Sequence, residues 1–180
     1  MEREPGWLAA ERLALDLSWV APRLAVGGRL PPESAERLAG ALGIRCVVDL
    51  RVEECDDERV LSRAGIELLH LPTVDGRAVS QRMLADGVAW VTEKLARDLA
   101  VYVHCQHGIG RSALLALCVL VAQGRGPLEA LSLAKQARPC VSPSPEQLEA
   151  YRRWLAAHRA RTGLPLPVPS LEQLSRIAYR

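Results

Sequence analysis

Short apolar runs that alternate with amphipathic segments constrain the fold of this chain more than any other feature. RCVVDL (45–50) and LAVYVH (99–104) are nearly continuous apolar stretches, as expected of buried parallel strands. Further strands are predicted at 66–71 and at 23–28, the latter as an edge strand that ends in a Gly-Gly turn. Strands that alternate with helices predict an α/β fold, in which a central, mostly parallel sheet of about four to five strands is flanked by helices.

The spacing of apolar residues, together with glycines and prolines that end helices, predicts the intervening helices. They are predicted over 7–17, 31–42, 56–64, 81–98, 111–123, 127–138 and 145–161. The 163–180 segment has three prolines in five residues and is predicted to form an extended arm and a short helix. Parallel sheets bind ligands in the loops beyond the carboxyl ends of their strands, so the loop after LAVYVH is the first candidate for a site.

Composition excludes several classes of protein. The 180 residues are 49% hydrophobic and 24% charged, which is typical of a globular domain rather than a disordered chain. A net charge of +2 is too small to indicate a nucleic-acid-binding protein. The five cysteines have no CxxC spacing, so neither a disulfide framework nor a zinc ribbon is indicated. We expect a cytoplasmic protein, because the N-terminus lacks a signal-peptide pattern and the longest apolar stretch, 113–122, is far below the roughly 20 residues that span a membrane.

The loop HCQHGIGRS (104–112) joins the LAVYVH strand directly to an apolar helix. A chain that turns from a strand into a helix N-terminus points several backbone N–H groups inward and forms a cradle for an anion. Gly108 and Gly110 allow the tight curl, and the planar guanidinium of Arg111 can hold two phosphate oxygens. The cradle is expected to lower the pKa of the Cys105 thiol, which predicts a nucleophile that attacks phosphorus. The predicted phosphate-binding residues are Gln106, His107, Gly108, Ile109, Gly110 and Arg111.

HCQHGIGRS resembles the HCxxGxxRS loop of the cysteine-based protein tyrosine phosphatases, in particular that of their dual-specificity branch. The resemblance implies that Cys105 forms a phosphocysteine intermediate and that Arg111 binds the phosphoryl group. It further implies that Ser112 helps the thiolate to leave, and that the reaction needs no metal and no cofactor.

The family also uses an aspartic acid on a separate loop, which protonates the leaving oxygen and then activates water. Asp75 in LPTVDG lies 30 residues before Cys105 and follows the predicted 66–71 strand, where the resemblance implies this acid. Asp86 is the alternative, although it falls within a predicted helix. His104 is interpreted as a structural residue whose hydrogen bonds steady the loop. Gln147, in SPSPEQLEAY (142–151), is predicted to support the site, because the resemblance implies that it lies near the pocket.

The order of the motifs resembles the family from about residue 18 to residue 158. We therefore predict an N-terminal helical extension over 1–17, a dual-specificity phosphatase-like catalytic domain over 18–162 and a Pro-rich C-terminal tail over 163–180. The extension and the tail lie outside the resemblance.

Several of these residues also have structural interpretations. His104, Cys105 and His107 suggest a zinc site, but adjacent ligands at a strand end point in opposite directions and no fourth ligand is apparent. His107 either contacts the substrate or faces solvent. Asp49 and Arg51 are interpreted as a buried ion pair that supports the loop rather than as a second functional pair. Three further cysteines are expected to pack as small hydrophobic residues: Cys46, Cys118 and Cys140.

The sequence thus predicts a metal-independent phosphomonoester hydrolase that acts through a phosphocysteine, with a protein tyrosine or dual-specificity phosphatase as the first hypothesis. Its expected partner is a phosphorylated protein or peptide, and we expect a monomer that needs no membrane. An RNA 5′-phosphatase and a phospholipid phosphatase of the same fold remain alternatives. The absence of lysine from the loop interior argues against a phosphoinositide. A phospho-binding protein without turnover is the alternative outside the enzymes.

Overall fold

The computed structural model describes residues 15–180, and its centre is a five-stranded sheet in the order β1-β2-β5-β3-β4. The strands are β1 (Leu17–Ala21), β2 (Leu24–Gly27), β3 (Ile44–Arg51), β4 (Glu67–Thr73) and β5 (Ala100–His104). The β2/β5, β5/β3 and β3/β4 pairs are parallel, and only β1/β2 is antiparallel among the pairs of this sheet. The predicted α/β fold with a central, mostly parallel sheet is therefore confirmed.

The N-terminal part of the sheet differs from the prediction. The 23–28 segment was expected at the edge, but β2 lies between β1 and β5 and is buried along its whole length. The edge strand is β1, and its first residue, Leu17, is also the last residue of the predicted 7–17 helix. Residues 7–14 of that helix lie outside the described residues. A turn through Arg23, at φ 62°, folds β1 back onto β2. The pairing of β2 with the distant β5 has no signal in either apolar run alone.

Seven α-helices are found in residues 15–180, and a short 3-10 helix (Pro32–Ser34) precedes the first. They are α1 (Ala35–Ala41), α2 (Glu58–Arg63), α3 (Gln81–Ala96), α4 (Arg111–Ala122), α5 (Pro127–Ala137), α6 (Pro145–Thr162) and α7 (Leu171–Ala178). Their positions agree with the predicted helices to within a few residues. The helix predicted at 56–64 begins later because the Asp57 side chain caps it, accepting hydrogen bonds from the backbone N–H groups of Arg59 and Val60.

Alternate residues of β5 face opposite sides of the sheet. Val101 and Val103 pack in the larger core with helices α3 to α7, whereas Ala100 and Tyr102 pack in the smaller core with α1 and α2. Helix α4 is buried from its first residue to Val121, as expected of a helix that is apolar on every side. Because α4 starts where the loop after β5 ends, this packing fixes its N-terminus at the carboxyl edge of the sheet.

The C-terminal tail packs on the larger core. Its helix, α7, buries Leu174 and Ala178 completely. Lys135 Nζ at the end of α5 donates hydrogen bonds to the carbonyls of Val141, at 2.9 Å, and Ala178, at 2.8 Å. The end of α7 is thereby tied to the segment between α5 and α6. None of the helices in this part of the chain is long and apolar enough to cross a membrane.

The cysteines expected to pack as hydrophobic residues differ in burial. Cys46 in β3 and Cys118 in α4 are buried, as predicted. Cys140 is exposed, which corrects the prediction. It lies in the turn after α5, where the chain runs along the surface and has no layer above it to cover a side chain.

Candidate active site

The loop over 105–110 curls around the sulfur of Cys105. Gly108 N donates a hydrogen bond to Cys105 Sγ at 3.3 Å, and Ser112 Oγ lies 3.4 Å from the same sulfur. Gly108 has a φ of 65°, and a Cβ at this position would lie 2.4 Å from the backbone of Gly27. Only glycine fits there, because the side chain would meet both backbone strain and a backbone clash. The loop therefore closes tightly over a thiol that is only 2% exposed.

The pKa of the Cys105 thiol is lowered from its ordinary value. Burial opposes ionisation, but hydrogen bonds from the Ser112 hydroxyl and from the backbone amides of Ser112, Gly108 and His107 outweigh it. The N-terminus of α4 presents the positive end of a helix dipole to the same region. These groups favour the thiolate, which is the nucleophilic form of cysteine.

The guanidinium of Arg111 is buried and is held from one side. Its two terminal nitrogens donate to the two carboxylate oxygens of Glu53, each at 2.8 Å, and Nη1 also donates to the Thr73 carbonyl at 2.7 Å. Asp75 Oδ1 lies 3.1 Å from Nη2. The remaining donor, Nε, is buried and has no partner among residues 15–180. Because buried N–H groups almost always have an acceptor, this donor fits an anion bound at the loop.

Glu53 is a site residue that the sequence analysis did not predict. Its pKa is lowered to about 2, mainly by the hydrogen bonds from the Arg111 side chain. An ionised Glu53 therefore orients the fork of Arg111. Its position just after the VVDLR strand could have indicated this role, because the carboxyl ends of parallel strands meet at one edge of the sheet.

The loop that carries Asp75 is held against the N-terminus of α6. Ser144 Oγ donates to the Gly76 carbonyl at 3.1 Å, and the Glu146 carboxylate accepts from Arg77 Nη1 at 3.0 Å and from Ala78 N at 3.2 Å. The Asp75 carboxylate itself accepts from the backbone N–H of Gly76 at 3.0 Å. The structure thus brings Asp75 to Arg111 on a loop with several fixed points.

Gln147 connects the loop that carries Asp75 to the loop over 105–110, which we call the phosphate loop after its predicted ligand. Its Nε2 donates to the Arg77 carbonyl at 2.9 Å, and its Oε1 accepts from Ser144 N at 2.8 Å. A Cβ on Gly110 would lie 2.4 Å from Gln147 Oε1, so the amide lies directly against the loop. The Gln147 amide thus occupies the space that a side chain at position 110 would take.

His104 is supported by a buried charge network behind the loop. Its Nε2 lies 2.6 Å from Asp56 Oδ2, and its Nδ1 lies 3.4 Å from the Cys105 carbonyl oxygen. Asp49 and Arg51 form the expected buried ion pair, at 2.9 Å, and Arg51 also pairs with Asp56 at 2.8 Å. Asp49, Asp56 and His104 have ligand atoms within 4.8 Å of one another. The guanidinium of Arg51 already pairs with the carboxylates of both Asp49 and Asp56, so a cation lies beside them without a metal ion.

Arg138, just after α5, is a second residue that the sequence analysis missed. Its Nε donates to the Gly108 carbonyl at 2.8 Å and its Nη2 to the His107 carbonyl at 2.9 Å. Asp16 pairs with the same guanidinium at 2.7 Å. Arg138 is buried, so it holds the loop carbonyls outward from behind, which leaves the N–H groups facing the Cys105 side.

The other predicted residues lie at the surface of the site or outside it. Gln106 is half-buried, and the side chains of His107 and Ile109 are exposed. Asp86, the alternative acid, lies in α3, where its carboxylate pairs with Arg82 at 3.9 Å. Within residues 15–180, the two histidines of the loop and Cys105 do not bring three ligand atoms together for a metal ion.

Comparison with known proteins defines the class to which this site belongs. A family model for the DSP-PTPase phosphatase of polymorphic toxin systems (Tc-R-P) matches residues 33–125, just over half of the chain. The chain belongs to this family of dual-specificity and protein tyrosine phosphatases, which confirms the resemblance seen in HCQHGIGRS. It is therefore an enzyme of the phosphatase class whose substrates are phosphorylated.

Individual relatives agree with this class. Phosphatidylglycerophosphatase and protein-tyrosine phosphatase 1 of Mus musculus is 30% identical over 135 residues, which are 71% of this chain and 70% of that protein. Dual specificity protein phosphatase 19 of Mus musculus is 29% identical over 79 residues, or 43% of this chain and 36% of that protein. The crystal structure of PTPMT1 in complex with PI(5)P superposes with a TM-score of 0.76 at 25% identity, covering 81% of this chain and 98% of that chain.

Proposed function

We propose that the protein hydrolyses phosphomonoesters of phosphorylated proteins or peptides through a phosphocysteine at Cys105. Arg111 and the amides of the 105–110 loop bind the phosphoryl oxygens, and Asp75 is the general acid and base. Ser112 hydrogen-bonds the sulfur when it leaves. His104 and Gln147 position the loop, and the reaction needs neither a metal nor a cofactor.

One observation carries this proposal: a buried cysteine of lowered pKa and an unpartnered buried donor occupy the same helix N-terminus. The thiol of Cys105 is favoured as a thiolate, and Nε of Arg111 has no acceptor in the described part of the chain. A phosphoryl group bound at the loop satisfies Nε and brings phosphorus to the sulfur. An inert core cysteine needs neither feature.

The chemistry takes two steps. In the first, the Cys105 thiolate attacks phosphorus, an S–P bond forms, and the bond from phosphorus to the leaving oxygen breaks as the Asp75 carboxyl gives that oxygen its proton. In the second, the Asp75 carboxylate takes a proton from water, the water oxygen attacks phosphorus, and the S–P bond breaks. The thiolate is restored beside Ser112, and inorganic phosphate is released.

A phospholipid monoester is a second candidate substrate. Three exposed apolar side chains follow three strands at the carboxyl edge of the sheet, and they suit an apolar part of a substrate: Val52, Val74 and Ile109. An aryl ring of phosphotyrosine and the acyl chains of a lipid are both apolar. The name of the mouse relative includes a phosphatidylglycerophosphatase, which supports testing a lipid beside peptides.

The test is hydrolysis of para-nitrophenyl phosphate in EDTA by the wild type and by Cys105→Ser. We expect metal-independent phosphate release that is lost in the variant, because a serine hydroxyl is not ionised at neutral pH. The variant is expected to keep binding vanadate, since the cradle and Arg111 are unchanged.

A folded wild type that releases no phosphate from this ester, from phosphotyrosyl, phosphoseryl and phosphothreonyl peptides, from phosphatidylglycerophosphate or from 5′-phosphorylated RNA contradicts the proposal. Stoichiometric binding of a phosphopeptide without release would instead identify a phospho-binding protein. Full activity of Cys105→Ser would remove the cysteine from the mechanism.

A further inference from the structure

A small groove lies between the start of the 3-10 helix and the N-terminus of α2, with a volume of about 140 Å³. We call it the acidic groove. Its floor is apolar and its rim carries carboxylates. The floor is formed by Leu30, Pro32, Val60 and Leu61, and the rim by Glu54 and Asp57.

The acidic groove carries more negative charge than the neighbouring Arg51 neutralises. The loop that forms its rim reads EECDDE (53–58). The single guanidinium of Arg51 pairs with Glu54 and with two further carboxylates, those of Asp49 and Asp56. Asp57 accepts only backbone N–H groups and has no ion pair within residues 15–180. The rim is therefore complementary to a cation.

Two contacts place the acidic groove beside the phosphate loop. Asp56, which lines the groove, pairs with His104, the residue before the nucleophile. Leu30 of the floor follows Arg29, whose backbone N–H donates to the Gln106 carbonyl at 3.1 Å. Both sides of the groove are thus connected to residues 104–106.

We propose that the acidic groove binds the side chain of a lysine or arginine that neighbours the phosphorylated residue of a peptide substrate. The methylene stem packs on the apolar floor while the cation lies at the carboxylates of the rim, as such side chains do at apolar surfaces with a polar margin. The same carboxylates repel a substrate with acidic neighbours. The proposal rests on the proposed function and names its substrate class as phosphopeptides with an adjacent basic residue.

The first arm of the test uses pairs of phosphotyrosyl peptides that differ in one residue, lysine against norleucine, at each position within about three residues of the phosphotyrosine. Norleucine keeps the apolar stem and lacks the charge. At one position we expect kcat/KM to be about 3- to 10-fold higher for lysine at low salt, and to approach equality at about 0.5 M salt. Equal kcat/KM for both peptides at every position contradicts the proposal.

The second arm removes the charge of the rim with the double variant Glu54→Gln and Asp57→Asn. Asparagine keeps the N-cap of α2, so the helix start is preserved. The control pair, Glu93→Gln with Asp98→Asn, removes the same number of charges from exposed residues outside the groove. Hydrolysis of para-nitrophenyl phosphate, which has no neighbouring residue, is expected to stay unchanged in both. Only the groove variant is expected to lose the lysine preference. If the preference persists in that variant, the proposal is wrong.

A binding arm separates this proposal from the proposed function. Cys105→Ser is titrated calorimetrically with the same peptide pairs, so the lysine preference is measured without turnover. If the lysine peptide binds more tightly but the wild type hydrolyses no phosphomonoester, the proposed function is wrong and the groove proposal stands. Hydrolysis of phosphatidylglycerophosphate but of no phosphopeptide retains the phosphatase and overturns the groove.

Discussion

At the scale of single residues, the site is built from groups that favour negative charge at a buried position. The Cys105 sulfur accepts hydrogen bonds from the first turn of α4 and from the loop, although its burial opposes ionisation. Arg111 lies on the same helix turn with its fork oriented by Glu53. The role of each of these side chains can be tested by a substitution that is expected to leave the backbone in place.

Ser112→Ala is expected to raise the pKa of Cys105, because the hydroxyl hydrogen bond is the largest of the contributions that lower it. The measurement is the rate of iodoacetamide inactivation against pH, whose midpoint should move to higher pH. Ser112→Thr keeps a hydroxyl and serves as the control. An unchanged midpoint in the alanine variant would show that the backbone amides alone hold the thiolate.

Asp75→Asn is expected to slow hydrolysis in proportion to the need for a proton on the leaving oxygen. For an alkyl phosphate we expect a loss of about 10²- to 10⁴-fold in kcat, the usual range for acid catalysis, and a much smaller loss for para-nitrophenyl phosphate. Asp86→Asn is the control, since that carboxylate pairs with Arg82 in α3. Equal losses on both substrates would argue against Asp75 as the acid.

Glu53 makes the stability of the protein depend on pH. Its pKa falls from the ordinary 4.5 to about 2 on folding, so the folded state favours the ionised carboxylate. The resulting stabilisation is complete above pH 4.5 and is lost as pH falls towards about 2. Urea unfolding across this window should give a shallower pH dependence for Glu53→Gln than for the wild type. Parallel curves would mean that the pair with Arg111 does not persist in solution.

At the scale of elements, the N-terminus of α6 and the end of α5 converge on the phosphate loop from outside it. The N-terminus of α6 holds the Asp75 loop through Ser144, Glu146 and Gln147. The end of α5 contributes Arg138, which contacts two loop carbonyls and also pairs with Asp16 before β1. The shape of the loop therefore depends on chain segments on both sides of it in the sequence.

Arg138→Met is expected to weaken anion binding while leaving Cys105 in place. The substitution keeps a long apolar stem but leaves the carbonyls of His107 and Gly108 without a side-chain donor. We expect the vanadate Kd to rise by about 10-fold, or about 1.4 kcal/mol, because carbonyls that are no longer held outward weaken the cradle of N–H groups. Arg152→Met, in which an arginine of α6 outside the loop is changed in the same way, is the control. An unchanged Kd would mean that the loop holds its shape without Arg138.

At the scale of the whole molecule, the C-terminal tail belongs to the same core as the sheet. Leu174 and Ala178 of α7 are fully buried, and Lys135 joins the end of α7 to the segment after α5. That segment also contacts the phosphate loop, because Ser142 N donates to the Ile109 carbonyl at 3.0 Å. The tail is thus linked to the site through the segment after α5, which is joined to α7 by Lys135 and contacts the phosphate loop through Ser142.

Leu174→Ala is expected to lower the free energy of unfolding by about 2–5 kcal/mol, through lost apolar burial and the cavity that remains. Leu171→Ala, in the same helix at a 38% exposed position, is the matched control and should cost far less. Urea denaturation followed by circular dichroism measures both. Equal costs would contradict the burial of α7 against the core.

Local features of the sequence predicted much of the fold and the centre of the site. The strands at 45–50, 66–71 and 99–104 and the helices between them follow from apolar periodicity, which acts within a few residues. HCQHGIGRS spans one strand end, one loop and one helix start. The local chain therefore predicts where Cys105 and Arg111 lie, whereas the shape of the loop between them also depends on the distant Gly27 and Arg138.

What only the tertiary structure decided involves residues that are far apart in the chain. Glu53 meets Arg111 across 58 positions, and Arg138 meets Gly108 across 30, so no local pattern indicates either contact. The place of β2 inside the sheet depends likewise on its pairing with the distant β5, at Gly27 and His104 among others. Apolar periodicity determines which segments become strands and helices, whereas strand order and the partners of buried charges depend on how those segments pack together.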